Sequence, residues 1–231
     1  QKTQAFEFHR GPIFANVVLA DEINRASPKT QSALLEVMEE SRVTVDGTTY
    51  TQERPFMVIA TQNPIEQAGT YRLPEAQLDR FLIKTSMGYP DHAATVELLA
   101  GSATRDRSAA LTAVITSAAV RDMADLAATV HTDTSVLEYI AHLAAATRDA
   151  PETRLGVSVR GALAMVRAAK VWAAAEGRNY VLPDDVLTLA PSVFTHRLVM
   201  DPEAEFAGAT ASAVRDQVLG SIAAPQQRVN A

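Results

Sequence analysis

The hydrophobic rhythm of the chain changes near Gly88-Tyr89-Pro90. Before that point, short β-like apolar runs alternate with helical periodicity. After it, Ala-rich segments repeat at helical spacing with almost no strand signal. This predicts an α/β domain over residues 1–89 and an all-helical domain over residues 90–231. In the first part, "QAFEFH" alternates as a strand does, and "NVVLA" is a continuous apolar run, the pattern of a parallel strand covered on both faces. "SPKTQSALLEVMEES" predicts a helix capped by Ser27, with Pro28 at its first position and Leu34, Val37 and Met38 as its apolar stripe. "RVTVDGTTY" predicts a hairpin turning at Asp46-Gly47. "PFMVIATQN" reads as a second buried strand, "LPEAQLD" as a short helix and "FLIKTSM" as a third strand. In the second part "HAATVELLA", "SAAVRDMADLAATV", "TSVLEYIAHLAAATRD", "SVRGALAMVRAAKVWAAAEG", "LPDDVLTLAPSVFTHRL" and "ATASAVRDQVLGSI" are helical runs, with Gly177 as a C-cap and Pro183 near a helix start.

Strand, helix, strand is a right-handed crossover that leaves the two strands parallel. Their carboxyl ends then share one sheet edge, the edge where open α/β sheets bind ligands. Asp21-Glu22 and Thr61-Gln62-Asn63 emerge there together. A charged pair at the end of an apolar run is costly without a partner. Two acids at a strand end suit metal-assisted phosphoryl transfer: one holds Mg²⁺ through water, the next polarises an attacking water, and an Asn on the neighbouring strand orients that water. An acid that merely caps the following turn explains the dipeptide alone equally well.

Composition narrows the classes. The 231 residues are 47% hydrophobic and 21% charged, a globular composition with enough apolar mass for a core. The net charge of −6 argues mildly against bulk nucleic-acid binding. Cysteine is absent, which rules out disulfides and thiolate metal sites and fits a cytosolic protein. No apolar run approaches the roughly 20 residues of a membrane span, and "QKTQAFEFHR" is neither a signal nor a transit peptide. The five histidines (9, 92, 131, 142, 196) are scattered and lack zinc-site spacing. Trp172 in its Ala-rich helix is expected in the core, and Asp184-Asp185 are expected to cap a helix rather than bind metal. Arg25, Lys29, Arg42 and Arg54 fit a pore or subunit surface no better than plain solvent.

Three long strings decide between these readings. "GPIFANVVLADEINRASPKTQSALLEVMEE", "FMVIATQNPIEQAGTYRLPEAQLDRF" and "YVLPDDV" resemble the MoxR family of AAA+ ATPases over nearly the whole chain. The resemblance implies a partial AAA+ core, a parallel sheet with flanking helices, followed by a helical lid. It implies that Asp21 and Glu22 are the Walker B pair, with Asp21 the Mg²⁺ ligand through water. Asn63 would be sensor 1, Arg80 in "LDRF" the arginine finger, and Arg160 in "GVSVRG" sensor 2, with Val159 where relatives often carry Pro. The hairpin resembles the insertion that precedes sensor 1 and points toward a central pore, and residues 1–10 resemble the tail of the insertion in the second helix. ATP and Mg²⁺ as cofactors, a cytoplasmic hexameric ring, chaperone-like remodelling of clients and a von Willebrand factor A domain partner are further implications. For Arg80 the plain alternative is a salt bridge to Asp79 or Glu75; for Arg160 it is a solvated helix position.

One departure is large. The phosphate-cradling loop needs G-x-x-x-x-G-K-[ST], yet none of the ten glycines is followed by Lys. Since the chain also does not open on Met, the expectation is a fragment that begins downstream of that loop and is inactive alone. Two other readings stay open. Related clades with the same hairpin include ring motors on DNA, against which the tip "VDGTT" carries no basic residue. The other is a non-catalytic interaction domain lacking the loop altogether.

Overall fold

The structure is a computed structural model and describes residues 8–63, 71, 73–101 and 111–225. Its first region runs β1 (Val17–Ala20), a 3-10 turn (Ile23–Arg25), α1 (Pro28–Glu40), β2 (Arg42–Val45), β3 (Thr48–Thr51), β4 (Met57–Ala60) and α2 (Glu75–Leu78). β1 and β4 pair in parallel, from Val17 opposite Met57 to Ala20 opposite Ala60. β2 and β3 form the expected antiparallel hairpin, with Asp46 and Gly47 both at positive φ. Ser27 caps α1 by accepting from the Thr30 amide, and Pro28 opens the helix. The helix buries Gln31, Leu35 and Val37, so its inner face lies partly off the expected stripe; Leu34 and Met38 pack against the same small core at its margin. Gln31 is buried because its side-chain amide donates to the carbonyls of Ile23 and Tyr71, which fastens α1 to the turn after β1.

Several expectations are corrected. β1 and β4 are not covered on both faces: Leu19 is 64% exposed and Met57 52%. Ala20 and Ala60 face the small core under α1, while Val17, Leu19, Met57 and Ile59 face outward. "FLIKTSM" is not a strand, because its backbone groups bond to the helical region instead: the Lys84 amide donates to the Ser192 carbonyl, and Phe81 and Leu82 carbonyls accept from Arg197. Of "QAFEFH", residues 4–7 lie outside the described residues; Phe8 and His9 are not in a strand, and the Phe8 ring stacks on Tyr50 at 4.2 Å.

The second region holds α3 (His92–Ala100), α4 (Ser117–Ala128), α5 (Thr134–Asp149), β5 (Thr153–Leu155), α6 (Val159–Ala175), α7 (Pro183–Val193), β6 (Val199–Met200), α8 (Pro202–Phe206) and α9 (Ala211–Ser221). It is not purely helical: β5 and β6 pair antiparallel, and His131 bridges Tyr180. Its core joins Ile140 and Leu143 of α5, Met165 and Ala169 of α6, Val186 and Val193 of α7, and Val214 and Val218 of α9. α6 buries Gly161, Ala164, Ala168, Ala169 and Ala173, and these small side chains let α5 and α7 approach closely. That crowded stripe leaves no room for an indole, so Trp172 lies off it and is 40% exposed rather than core. Asp185 caps α7 as expected, accepting from the Leu182 amide while pairing with Arg178.

Candidate active site

At the carboxyl end of β1 the chain turns so that the acid pair meets the end of β4. The Thr61 amide donates to the Ala20 carbonyl, and the Ile23 amide returns a bond to the Thr61 carbonyl, which carries the ladder one step beyond the strands. Between them Glu22 has left-handed backbone angles, φ 49° and ψ 49°. A side chain other than Gly pays roughly 1–2 kcal/mol for that conformation. The Thr61 hydroxyl offsets it from both sides: its oxygen accepts from the Glu22 amide at 2.9 Å, and its proton goes to Asp21 Oδ1. The Glu22 carboxylate lies 2.9 Å from the Arg25 guanidinium. Asn24, buried in the same turn, donates to the Asn63 carbonyl at 3.4 Å. Asp21, Glu22 and Asn63 are therefore brought to one edge, as the crossover argument expected. Thr61 ties the two strand ends together, a role that sequence reasoning did not assign.

Arg80 and Arg160 meet elsewhere. Arg80 follows α2 and pairs with Glu39 at 2.7 Å while donating to the Leu35 carbonyl. Arg160, second residue of α6, pairs with the other oxygen of the same carboxylate at 2.6 Å. Glu39 stands in the last turn of α1, about 17 Å along the axis from Pro28. Asp21 and Glu22 precede the opposite end of that helix. So the structure joins the two arginines to each other through Glu39, not to the acid pair. The plain alternative for Arg80, a bond to Asp79 or Glu75, is not the one formed: Asp79 pairs with Arg197 and Glu75 with Arg154.

Asp79 is the joint between the two regions. It accepts from Arg197 Nε at 2.8 Å and from the Ser158 hydroxyl at 2.7 Å, and Arg160 Nη1 lies 3.8 Å away. Burial pushes the Arg197 guanidinium below the usual arginine range, and the Asp79 carboxylate pushes back. Beside it, His196 is pushed down to about 4 by burial and then by the charge of Arg197. Its ring is thus neutral near pH 7. Nε2 lies 2.8 Å from Arg197 Nη1 and 3.1 Å from the Phe81 carbonyl, and the buried Nδ1 has no hydrogen-bond partner among the described residues.

The donor set at the sheet edge is all oxygen: two adjacent carboxylates and a hydroxyl. That suits Mg²⁺, which prefers one or two carboxylates completed by water and phosphate. Among the described residues no cluster of three or more His, Cys, Asp or Glu side chains offers a closed metal cage. None of their helices is long and apolar enough to cross a membrane.

A parallel strand pair, two acids at the end of β1 and a helical region after it are the arrangement of an AAA+ ATPase core with its lid. Residues 1–83 match the family described as "ATPase family associated with various cellular activities (AAA)", and residues 145–218 match the AAA lid domain. The chain is 47% identical to the uncharacterized protein YeaC of Bacillus subtilis, over 98% of this chain and 71% of that protein. It is 38% identical to Chaperone MoxR1 of Mycobacterium tuberculosis, over 98% of this chain and 62% of that protein. The crystal structure of a putative ATPase from Cytophaga hutchinsonii superposes with a TM-score of 0.89 at 36% identity, covering 98% of this chain and 71% of that one. The chain belongs to the MoxR family of AAA+ ATPases.

Proposed function

We propose that this chain supplies the acid pair, sensors, arginine finger and lid of an ATP-hydrolysing subunit that works in a hexameric ring. In that reading the ring remodels or assembles client proteins, as the name of the 38%-identical chaperone suggests, with a von Willebrand factor A domain protein as partner in the cytoplasm. In that reading the phosphate-cradling loop, whose motif these 231 residues do not contain, lies outside them. The observation that carries the proposal is the Thr61 hydroxyl bridge, which holds Asp21 and the strained Glu22 at the end of the parallel pair.

Asp21 would hold Mg²⁺ through water, and the bound ion would neutralise charge on the ATP phosphates. Glu22 would accept the proton of the attacking water, released from Arg25 when the cleft fills. Asn63 orients that water from the neighbouring strand end. Arg80 and Arg160 lie at the far end of α1 from these groups, which favours their acting on a nucleotide at a subunit boundary. A finger supplied in trans is worth roughly 10³–10⁵ in rate.

The test is Glu22→Gln in the intact protein with its phosphate loop. Turnover falls roughly 10²–10⁴-fold, the usual range for loss of a general base, while ATP binding survives. Asn63→Ala gives a smaller loss. A Glu22→Gln enzyme that keeps turnover within a few-fold of the parent would return Glu22 to a capping role.

A further inference from the structure

We propose that Arg197 is a positioning residue for Arg80: the lid grips the backbone on both sides of Arg80 and so sets where that guanidinium points. The inference rests on the reading of Arg80 given above. Arg197 ends the 3-10 turn Thr195–Arg197 after α7, and its side chain is only 2% exposed. An arginine has five N–H donors. Here they face five oxygen acceptors, Asp79 Oδ1 at 2.8 Å, the Asp79 carbonyl at 3.1 Å, the Phe81 carbonyl at 2.6 Å, the Leu82 carbonyl at 3.3 Å and the carbonyl of Val193, with His196 Nε2 also 2.8 Å from Nη1. Four of these five acceptors belong to the residues that flank Arg80. Arg80 itself is left out of the knot and stays 31% exposed, turned to Glu39. A lid cation that merely cemented the core would need no such choice of acceptors.

The same knot reaches Arg160. A Cβ on Gly161 would stand 2.7 Å from Arg197 Cδ and 3.0 Å from Nε, so the residue after Arg160 must be small for Arg197 to pass. Ser158, which caps α6 by accepting from the Gly161 amide, gives its own proton to Asp79. Both arginines are thus set by one buried joint between Arg197 and Asp79. A lid that shifts carries the finger segment with it. The lid state of one subunit then governs hydrolysis at its neighbour while the subunit's own acid pair is untouched.

The experiment is a mixed-subunit ATPase assay with the intact protein. Arg197→Met is expected to lower kcat roughly 10²-fold, the effect of displacing a group by about 1 Å, with KM for ATP unchanged. Mixing it with Glu22→Gln subunits restores part of the activity, since the Arg197→Met cleft is whole and meets a well-held Arg80 from its neighbour. Gly161→Ala, which crowds the guanidinium without removing charge, behaves the same way and serves if Arg197→Met does not fold. Arg80→Ala is run in parallel. If Arg80→Ala is inactive and rescued by mixing while a folded Arg197→Met or Gly161→Ala keeps the parent kcat, the positioning role is overturned and the finger reading stands. If the Arg197 and Gly161 variants lose activity that mixing cannot restore, although co-assembly is demonstrated, the joint is structural only and the proposal is equally overturned. If Arg80→Ala itself keeps turnover, the finger reading falls first and takes this inference with it.

Discussion

The two regions of the molecule solve burial differently. The helical lid closes on itself: α5, α6, α7 and α9 bury a continuous core around Leu143, Met165, Val193 and Phe194. In the α/β region the cluster of buried residues is Ile23, Leu35 and Leu73, with the outer face of β1 and β4 open. The lid thus has a large core of its own, whereas the α/β region buries a smaller cluster and leaves the outer face of β1 and β4 exposed. The chemistry follows the same division. The acid pair is placed by backbone geometry at a strand end, and Arg160 and Arg197 are placed by ion pairs that cross between the regions.

This contrast can be broken or sharpened in order of expected effect. Phe194 is 1% exposed in the lid core, and Phe194→Ala is expected to cost about 3–5 kcal/mol in denaturant unfolding of the lid transition. A loss near 1 kcal/mol would mean the lid core is looser than its packing implies. Next comes acid. His196 faces Arg197, Lys84 and Asp79, and its folded pKa of about 4 lies below the ordinary 6.5. Because the native state resists the proton and the unfolded state takes it, stability falls as pH drops from 6.5 toward 4, and this contribution levels off below that. The full swing is roughly 2–3 kcal/mol after allowing for partial exposure. Thermal melts across that range check it, and His196→Gln should flatten the slope; an unchanged slope would place the acid sensitivity elsewhere. The smallest effect is expected at Leu19, whose side chain is already mostly in solvent: Leu19→Ala should change stability by less than about 0.5 kcal/mol in this chain. A cost of 2 kcal/mol would show that the outer sheet face is covered in solution. For the 231 residues alone, ATP affinity should be weaker than about 1 mM, since the carboxylates repel phosphates that no backbone cradle holds; micromolar binding by calorimetry would contradict it.

What the sequence made legible was mostly short-range. Ser27-Pro28, Asp46-Gly47 and Asp185 each act on backbone groups two or three residues away, so their local chemistry predicted the caps and the turn. The convergence of Asp21, Glu22 and Asn63 followed from crossover handedness, a rule that needs only element order. "FLIKTSM" defeated the same reasoning, because an apolar run becomes a strand only if a neighbour takes its amides, and here Arg197 reaches its carbonyls from 115 or 116 residues away. The joining of Arg80 and Arg160 on Glu39 was equally hidden, since ion pairing at a separation of 121 residues leaves no periodic trace. Two signals could have pointed toward the joint: a Gly directly after Arg160, and a charged "HR" just beyond the apolar end of α7.

The parallel pairing of β1 and β4 also sets an order in time. Thr61 and Asp21 are 40 residues apart, and closing a loop of that length costs about 3 kcal/mol of chain entropy before any strand bond forms. The lid's neighbouring helices α5, α6 and α7 meet through much shorter connections and reach their contacts first. On this schedule the sheet edge that carries Asp21 and Glu22 forms late, after α5, α6 and α7 have condensed. A chain caught early in folding would present a finished lid and an unformed sheet edge.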